Sequence, residues 1–170
     1  MNISTQYLKS VQSLFEQYKS LGERAMIQVT DDQLNVCINE ESNSIAILVK
    51  HLWGNMLSRW TDFLTTDGEK PWRERDAEFV NDITDRVEIM ERWEAGWKCL
   101  FDALATLKPD DLNKTVFIRQ QELTVMEAIG RQLTHYAYHV GQIVYLAKIL
   151  DKQPWHTLSI ARGQSKSFKP

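Results

Sequence analysis

Four long stretches of this chain place their apolar residues three or four positions apart, the spacing that predicts amphipathic α-helices. The predicted helices span residues 5–23, 43–64, 82–107 and 124–150. Only seven glycines and four prolines occur in 170 residues, so little interrupts these stretches. Because each predicted helix carries one apolar stripe, we expect an all-α protein, a four-helix bundle with a long crossover connection.

Polar residues mark the ends of the predicted helices. Residues 42–44 supply capping side chains before the second helix, and Pro109 ends the third. At the start of the fourth helix, Thr124 is followed three positions later by Glu127, the pattern of a capping box. Residues 116–123 just before it are expected to form a short extended hairpin.

Length, charge and cysteine content limit the classes of protein that the chain can belong to. We expect one domain over residues 1–170, and a net charge of −3 gives no reason to expect nucleic acid or an anionic membrane as partner. No stretch approaches the ~18 apolar residues of a membrane-spanning helix, and residues 1–6 lack the features of a signal peptide. Cys37 and Cys99 are too few for a disulfide scaffold, so a cytoplasmic location is expected.

Three of the four histidines lie where two predicted helices can bring them together. His135 and His139 are four positions apart and share one helix face, and His51 lies in the second predicted helix. Side-by-side packing of these helices makes the three imidazoles converge. Neutral imidazole binds zinc, nickel, copper and iron, and three protein ligands leave one coordination position open. The residues therefore indicate a transition-metal site, with hydrogen-bonded core histidines as the alternative.

Several well-known catalytic patterns are absent from the sequence. Tyr136 stands where a His-Glu-x-x-His protease has its glutamate, and Gln132 stands where a di-iron bundle has its glutamate three residues before the histidine. The glycine-rich phosphate loops and the Gly-x-Ser-x-Gly elbow are also missing. Common metalloprotease, di-iron, nucleotide-binding and serine-hydrolase activities are therefore not predicted.

Further polar and aromatic residues near the histidines are candidates for the same site. Asn55 and Gln142 are predicted to orient imidazoles, with ordinary polar packing as the alternative, and Tyr138 is a candidate pocket residue. Three arginines are candidates for holding an anionic substrate, and ion pairing or solvation is the alternative for each: Arg59, Arg73 and Arg131.

The histidine motif carries a resemblance to a known superfamily. Residues 135–143, which read HYAYHVGQI, together with His51 on an earlier helix, resemble the DinB-like superfamily of four-helix bundles. The Gly-Gln pair at residues 141–142 matches that pattern. The wider chain is similar to a bacterial branch of the superfamily, the DUF1572 group, through residues 131–135 and 155–165.

The resemblance implies a function as well as a fold. It implies a divalent metal held by His51, His135 and His139, and commonly a homodimer. Among the metals that imidazole binds, we expect zinc or nickel. Relatives in the superfamily include transferases and isomerases that use low-molecular-weight thiols such as bacillithiol or mycothiol. We therefore expect a metal-dependent thiol S-transferase, in which the cation favours the thiolate for attack on an electrophile.

Two other functions are compatible with the sequence. A non-catalytic metal-binding stress protein is the first, and a fourth ligand from Glu16 or Glu94 would favour it. A metal-dependent hydrolase is the second, since a three-histidine zinc site lowers the pKa of its water to about 7. The hydrolase needs a proton acceptor. His156, the remaining histidine, is the candidate for that role, with an ordinary surface residue as the alternative.

Overall fold

Helices dominate the architecture, as the spacing of apolar residues predicts. The computed structural model describes residues 2–167. The α-helices are α1 (Ile3–Met26), α2 (Asp31–Leu34), α3 (Ile45–Trp60), α4 (Arg86–Thr106) and α5 (Val125–Leu150). An antiparallel hairpin, β1 (Thr115–Ile118) and β2 (Gln121–Thr124), and two 3-10 turns, Asp76–Phe79 and Pro109–Asn113, accompany them. None of the helices within residues 2–167 is long and apolar enough to cross a lipid bilayer.

The predicted capping residues of α3 and α5 are confirmed, although α3 begins at Ile45, two residues later than predicted. Ser44 Oγ accepts a hydrogen bond from the Ile47 amide at 3.2 Å and so begins α3. Thr124 Oγ1 accepts from the Glu127 amide at 3.1 Å, and Glu127 Oε2 accepts from the Thr124 amide at 2.7 Å. This reciprocal pair is a capping box, and it fixes where the helix carrying His135 starts.

Helix α3 ends at Trp60, four residues before the predicted end at residue 64. Thr61 is already extended, and Asp62 has a left-handed backbone with φ of 50°. The Asp62 carbonyl then accepts hydrogen bonds from the Thr65 and Thr66 amides, both at 3.0 Å. Aspartate tolerates the left-handed region better than most residues, so the chain turns here although the apolar spacing continues.

Helix α4 begins at Arg86, four residues later than predicted. The Asp85 side chain caps it by accepting a hydrogen bond from the Val87 amide at 3.0 Å. Asp82, the predicted start, instead pairs with Lys50 of α3, with Nζ and Oδ1 2.5 Å apart. The apolar spacing predicted that this helix exists, whereas the capping carboxylate of Asp85 determines the residue at which it begins.

Buried aromatic side chains hold the long helices together. Helix α3 packs mainly along α4, and α1 packs mainly along α5. Phe15 of α1 lies with its ring centroid 5.9 Å from that of Tyr136 and 6.3 Å from that of Trp97. The rings of Trp97 and Tyr136 are 5.9 Å apart and nearly perpendicular. Such pairs each contribute ~0.5–1.5 kcal/mol beyond their burial, so this cluster links α1, α4 and α5.

A buried chain of hydrogen bonds fixes α3 against α5. Trp60 Nε1 donates to the Tyr136 hydroxyl at 3.0 Å, and that hydroxyl donates to Asn55 Oδ1 at 3.0 Å. Burial raises the pKa of Tyr136, so its hydroxyl keeps the proton that it donates. Because buried polar groups are costly when unpaired, this chain favours one alignment of the two helices and hence one placement of their histidines.

Candidate metal centre

The structure brings the three predicted histidines together between α3 and α5. His51 Nε2 lies 3.3 Å from His135 Nε2, and His139 Nε2 lies 3.1 Å from the same atom. The three donor atoms all lie within 4.8 Å of one another. Nitrogen ligands bound at 2.0–2.1 Å around a tetrahedral zinc are about 3.3 Å apart. The two distances to His135 Nε2 therefore match those around a single zinc ion.

The surroundings of the cluster favour neutral imidazoles. Burial, together with the neighbouring histidines and the Arg59 and Arg73 charges, lowers the pKa of His135 to about 3. Burial also lowers the pKa of His139 to about 4, although its hydrogen bond to Gln142 acts in the opposite direction. At neutral pH both rings are uncharged, which is the form that binds a metal ion.

Glu78 orients His51 and was missed by the sequence analysis. Its Oε2 accepts a hydrogen bond from His51 Nδ1 at 2.9 Å, so the proton lies on Nδ1 and Nε2 is free to bind a metal. Arg73 holds the carboxylate with Nε 2.7 Å from Oε1 and Nη2 2.9 Å from Oε2. Burial raises the pKa of Glu78, but the bonds from His51 and Arg73 outweigh it and leave the pKa below its usual value.

Gly54 makes room for Glu78 against α3. A Cβ at position 54 would lie 2.3 Å from Glu78 Oε1 and 2.9 Å from its Cδ. Any larger residue must therefore displace the carboxylate from its place beside His51. No pattern in the sequence connects Glu78 to the histidines, because it lies in the 3-10 turn of an irregular segment.

Gln142 of α5 hydrogen-bonds His139 in the same way as Glu78 hydrogen-bonds His51. Its Oε1 accepts a hydrogen bond from His139 Nδ1 at 2.8 Å, three residues away on the same helix. His139 Nε2 is therefore directed toward the other two imidazoles. This is the contact expected of the predicted orienting residue, and its effect on metal binding stays a prediction.

The other two candidate residues contact the site differently. Asn55 lies beside His51 and His135, but its Oδ1 accepts from the Tyr136 hydroxyl and not from an imidazole. Tyr138 is 54% exposed, and its ring centroid is 4.0 Å from that of His139. Tyr138 therefore covers the outer side of the imidazole cluster.

The residues proposed for the alternative functions lie outside the cluster. Glu16 and Glu94 are both exposed, and Glu94 pairs with Lys19 at 2.9 Å. His156 is exposed and its amide donates to Gln28 Oε1 at 2.8 Å. Within residues 2–167 no fourth His, Cys, Asp or Glu belongs to the cluster.

The fold and the site define a mostly helical protein with a candidate three-histidine metal centre. The chain belongs to the DUF1572 family, described as a protein of unknown function, whose model matches residues 2–164. This match confirms the predicted DUF1572 resemblance over nearly the whole chain. A comparison with curated proteins found no match.

Proposed function

We propose that this protein is a DinB-like four-helix bundle that binds zinc or nickel and acts as a metal-dependent thiol S-transferase. His51, His135 and His139 would hold the ion. The observation that carries the proposal is the convergence of these three Nε2 atoms, with no fourth protein ligand from residues 2–167. Structural zinc sites are closed by four protein ligands, whereas catalytic sites keep a position for water or substrate.

The surrounding residues would prepare the site for this chemistry. Glu78 and Gln142 accept the Nδ1 protons of His51 and His139, so the facing nitrogens carry lone pairs. Phe79 lies with its ring centroid 5.0 Å from that of His51, and with Tyr138 it supplies partly exposed aromatic surface beside the cluster. This surface can pack against an apolar electrophile and exclude water from it.

The proposed reaction joins a small thiol to an electrophilic carbon. A bound divalent cation favours the thiolate over the thiol at neutral pH. The thiol proton passes to solvent, and the sulfur lone pair forms the new carbon–sulfur bond. The bond from carbon to the leaving group breaks with its electron pair, which releases a halide or, from an epoxide, an alkoxide that water protonates.

Two observations favour this function over the alternatives. The exposure of Glu16 and Glu94 argues against a closed, purely structural metal site. A hydrolase needs a free proton acceptor, but both oxygens of Glu78 are engaged by Arg73 and His51.

The first test is the metal content of protein purified without an affinity tag. We expect about one equivalent of zinc or nickel in the wild type, as three converging ligands predict, and loss of the metal in His139→Ala. His156→Ala, which removes an exposed histidine, is the matched control and should keep its metal. No metal in the wild type, even after reloading with zinc or nickel, would contradict the proposal.

The second test is thiol transfer by the metal-loaded protein. A panel of low-molecular-weight thiols with monochlorobimane should give a metal-dependent product that the chelated protein and His139→Ala do not form. Metal binding without turnover of any thiol would instead favour the non-catalytic protein.

We also propose that the protein forms a homodimer, as the DinB-like resemblance implies. Light scattering measures the molecular mass in solution and tests this directly.

A further inference from the structure

An arginine-rich cavity of about 170 Å³ lies beside two of the three clustered histidines, His51 and His135. The residues that line it are His51, Asn55, Arg59, Arg73, Arg75, Arg119, Arg131, Gln132 and His135. Pockets for drug-sized ligands measure roughly 300–1,000 Å³, so this cavity fits one small group of a larger molecule. Five guanidinium groups around so small a space constitute an unusual concentration of positive charge.

Three of the arginines are held in place by two glutamates. Arg73 pairs with Glu78, and Arg59 and Arg119 share the Glu69 carboxylate, each with a nitrogen 3.0 Å from Oε2. The Arg59 side chain is 6% exposed and that of Arg73 is 2% exposed. Burial and the nearby Arg73 charge lower the pKa of Arg59. Arg59 and Arg73 are therefore held in place by the fold and do not move freely in solvent.

The other two arginines leave the cavity with an excess of positive charge. Arg75 and Arg131 are exposed, and neither forms an ion pair with any residue from 2 to 167. Of the five cationic groups, three thus form ion pairs and two do not. Like charges this close repel one another, and an anion bound among them offsets that repulsion.

Two buried polar atoms at the cavity have no hydrogen-bond partner among residues 2–167. They are Arg73 Nη1 and Gln132 Oε1. An unpaired buried donor costs about 1–3 kcal/mol, so an acceptor that reaches Arg73 Nη1 would offset that cost. The Gln132 amide presents an N–H in place of its oxygen when it rotates by 180° about its last bond.

We propose that this cavity binds an oxyanion, a carboxylate or a phosphate, carried by the small molecule that reaches the three-histidine site. Guanidinium groups match such anions because two parallel N–H bonds meet two oxygens. The cavity shares His51 and His135 with the metal centre, so an anion here anchors its molecule beside the reacting atoms. Assigning the anion to a substrate rests on the proposed function, whereas anion binding itself does not.

The test is calorimetric titration of the full chain with inorganic phosphate and with succinate, on protein as purified and after chelation. We expect at least one probe to bind at millimolar or lower concentration with and without metal, and more weakly as sodium chloride is raised. The tighter probe identifies the anion as phosphate or carboxylate. Binding that disappears on chelation would mean that the anion is a metal ligand, and would overturn the proposal.

Two arginine variants and one control assign the binding to the cavity. Arg75→Gln and Arg131→Gln remove exposed, unpaired cations, so both should fold, and each should weaken the tighter probe about tenfold. Arg24→Gln removes an exposed arginine of α1 outside the cavity and should leave affinity unchanged. Wild-type affinity in both Arg75→Gln and Arg131→Gln, or absence of binding in the wild type, would overturn the proposal. Arginine-dependent binding in a protein that takes up neither zinc nor nickel would contradict the proposed function alone.

Discussion

At the scale of single residues, the absence of a side chain at Gly54 leaves room for the Glu78 carboxylate that hydrogen-bonds His51. In Gly54→Ala the new methyl group would overlap the Glu78 carboxylate, whose Oε1 lies 2.3 Å from the added Cβ position. Because Glu78 is a flexible side chain, it should move away while the helix stays folded, and His51 would lose the acceptor for its Nδ1 proton. Losing such a partner typically costs 10–100-fold in metal affinity, which a chelator competition titration with zinc measures.

Gly141→Ala is the matched control for this prediction. Gly141 also lies in a helix that carries the histidines, but a Cβ there would meet nothing within 4 Å. Zinc affinity should be unchanged, and alanine should stabilise α5 by ~0.5–1 kcal/mol. Equal losses of affinity in the two variants would contradict the role assigned to Glu78.

Residues on helices were predictable from the sequence, whereas residues on irregular segments were not. His135, His139 and Gln142 are related by helical spacing, and the structure places their side chains in contact. Glu78 reaches His51 from a 3-10 turn 27 positions along the chain, and no periodicity connects the two. The position of Asn55 was predicted, but its hydrogen bond to the Tyr136 hydroxyl depends on how α3 and α5 align.

At the scale of whole elements, the capping box of α5 stabilises the helix that carries two of the histidines. Thr124→Ala removes the side chain that accepts from the Glu127 amide, and it should lower the free energy of unfolding by ~1 kcal/mol. Thr124 lies about three turns before His135, so zinc affinity should not change. Urea unfolding and a zinc titration on the same sample separate the two effects.

Thr134→Ala is the corresponding control in the middle of α5. The Thr134 hydroxyl is exposed and donates back to the Arg131 carbonyl at 2.9 Å, a bond that does not cap the helix. Alanine has the higher helix propensity, so stability should stay the same or rise slightly. A loss as large as that of Thr124→Ala would show that the capping box is not the cause.

The residues at which helices begin and end agree better with side-chain capping hydrogen bonds than with the extent of the apolar spacing. The capping residues of α3 and α5 were predicted because Ser44 and Thr124 cap them in the usual way. The end of α3 was not, since the left-handed Asp62 interrupts a stretch whose apolar residues keep helical spacing. Spacing thus predicts that a helix exists, while a single polar residue decides where it ends.

At the scale of the whole molecule, the buried histidines make the stability of the metal-free protein depend on pH. The pKa values of His135 and His139 fall from 6.5 to about 3 and about 4 on folding. Below pH 6.5 the unfolded chain therefore binds up to about two more protons than the folded protein, and its stability falls as the pH is lowered. The loss begins near pH 6.5 and continues to about pH 4 for His139 and about pH 3 for His135.

The check is urea unfolding of the chelated protein between pH 7 and about pH 5. Carboxylates with lowered pKa values, such as Glu78, add to the slope only closer to their usual value of 4.5. In this window the double variant His135→Gln/His139→Gln should lose most of the pH dependence. His156→Gln, which alters an exposed histidine, should retain it. If the double variant kept the wild-type slope, burial of these two imidazoles would not be its source, and their neutral state in the folded protein would lose its support.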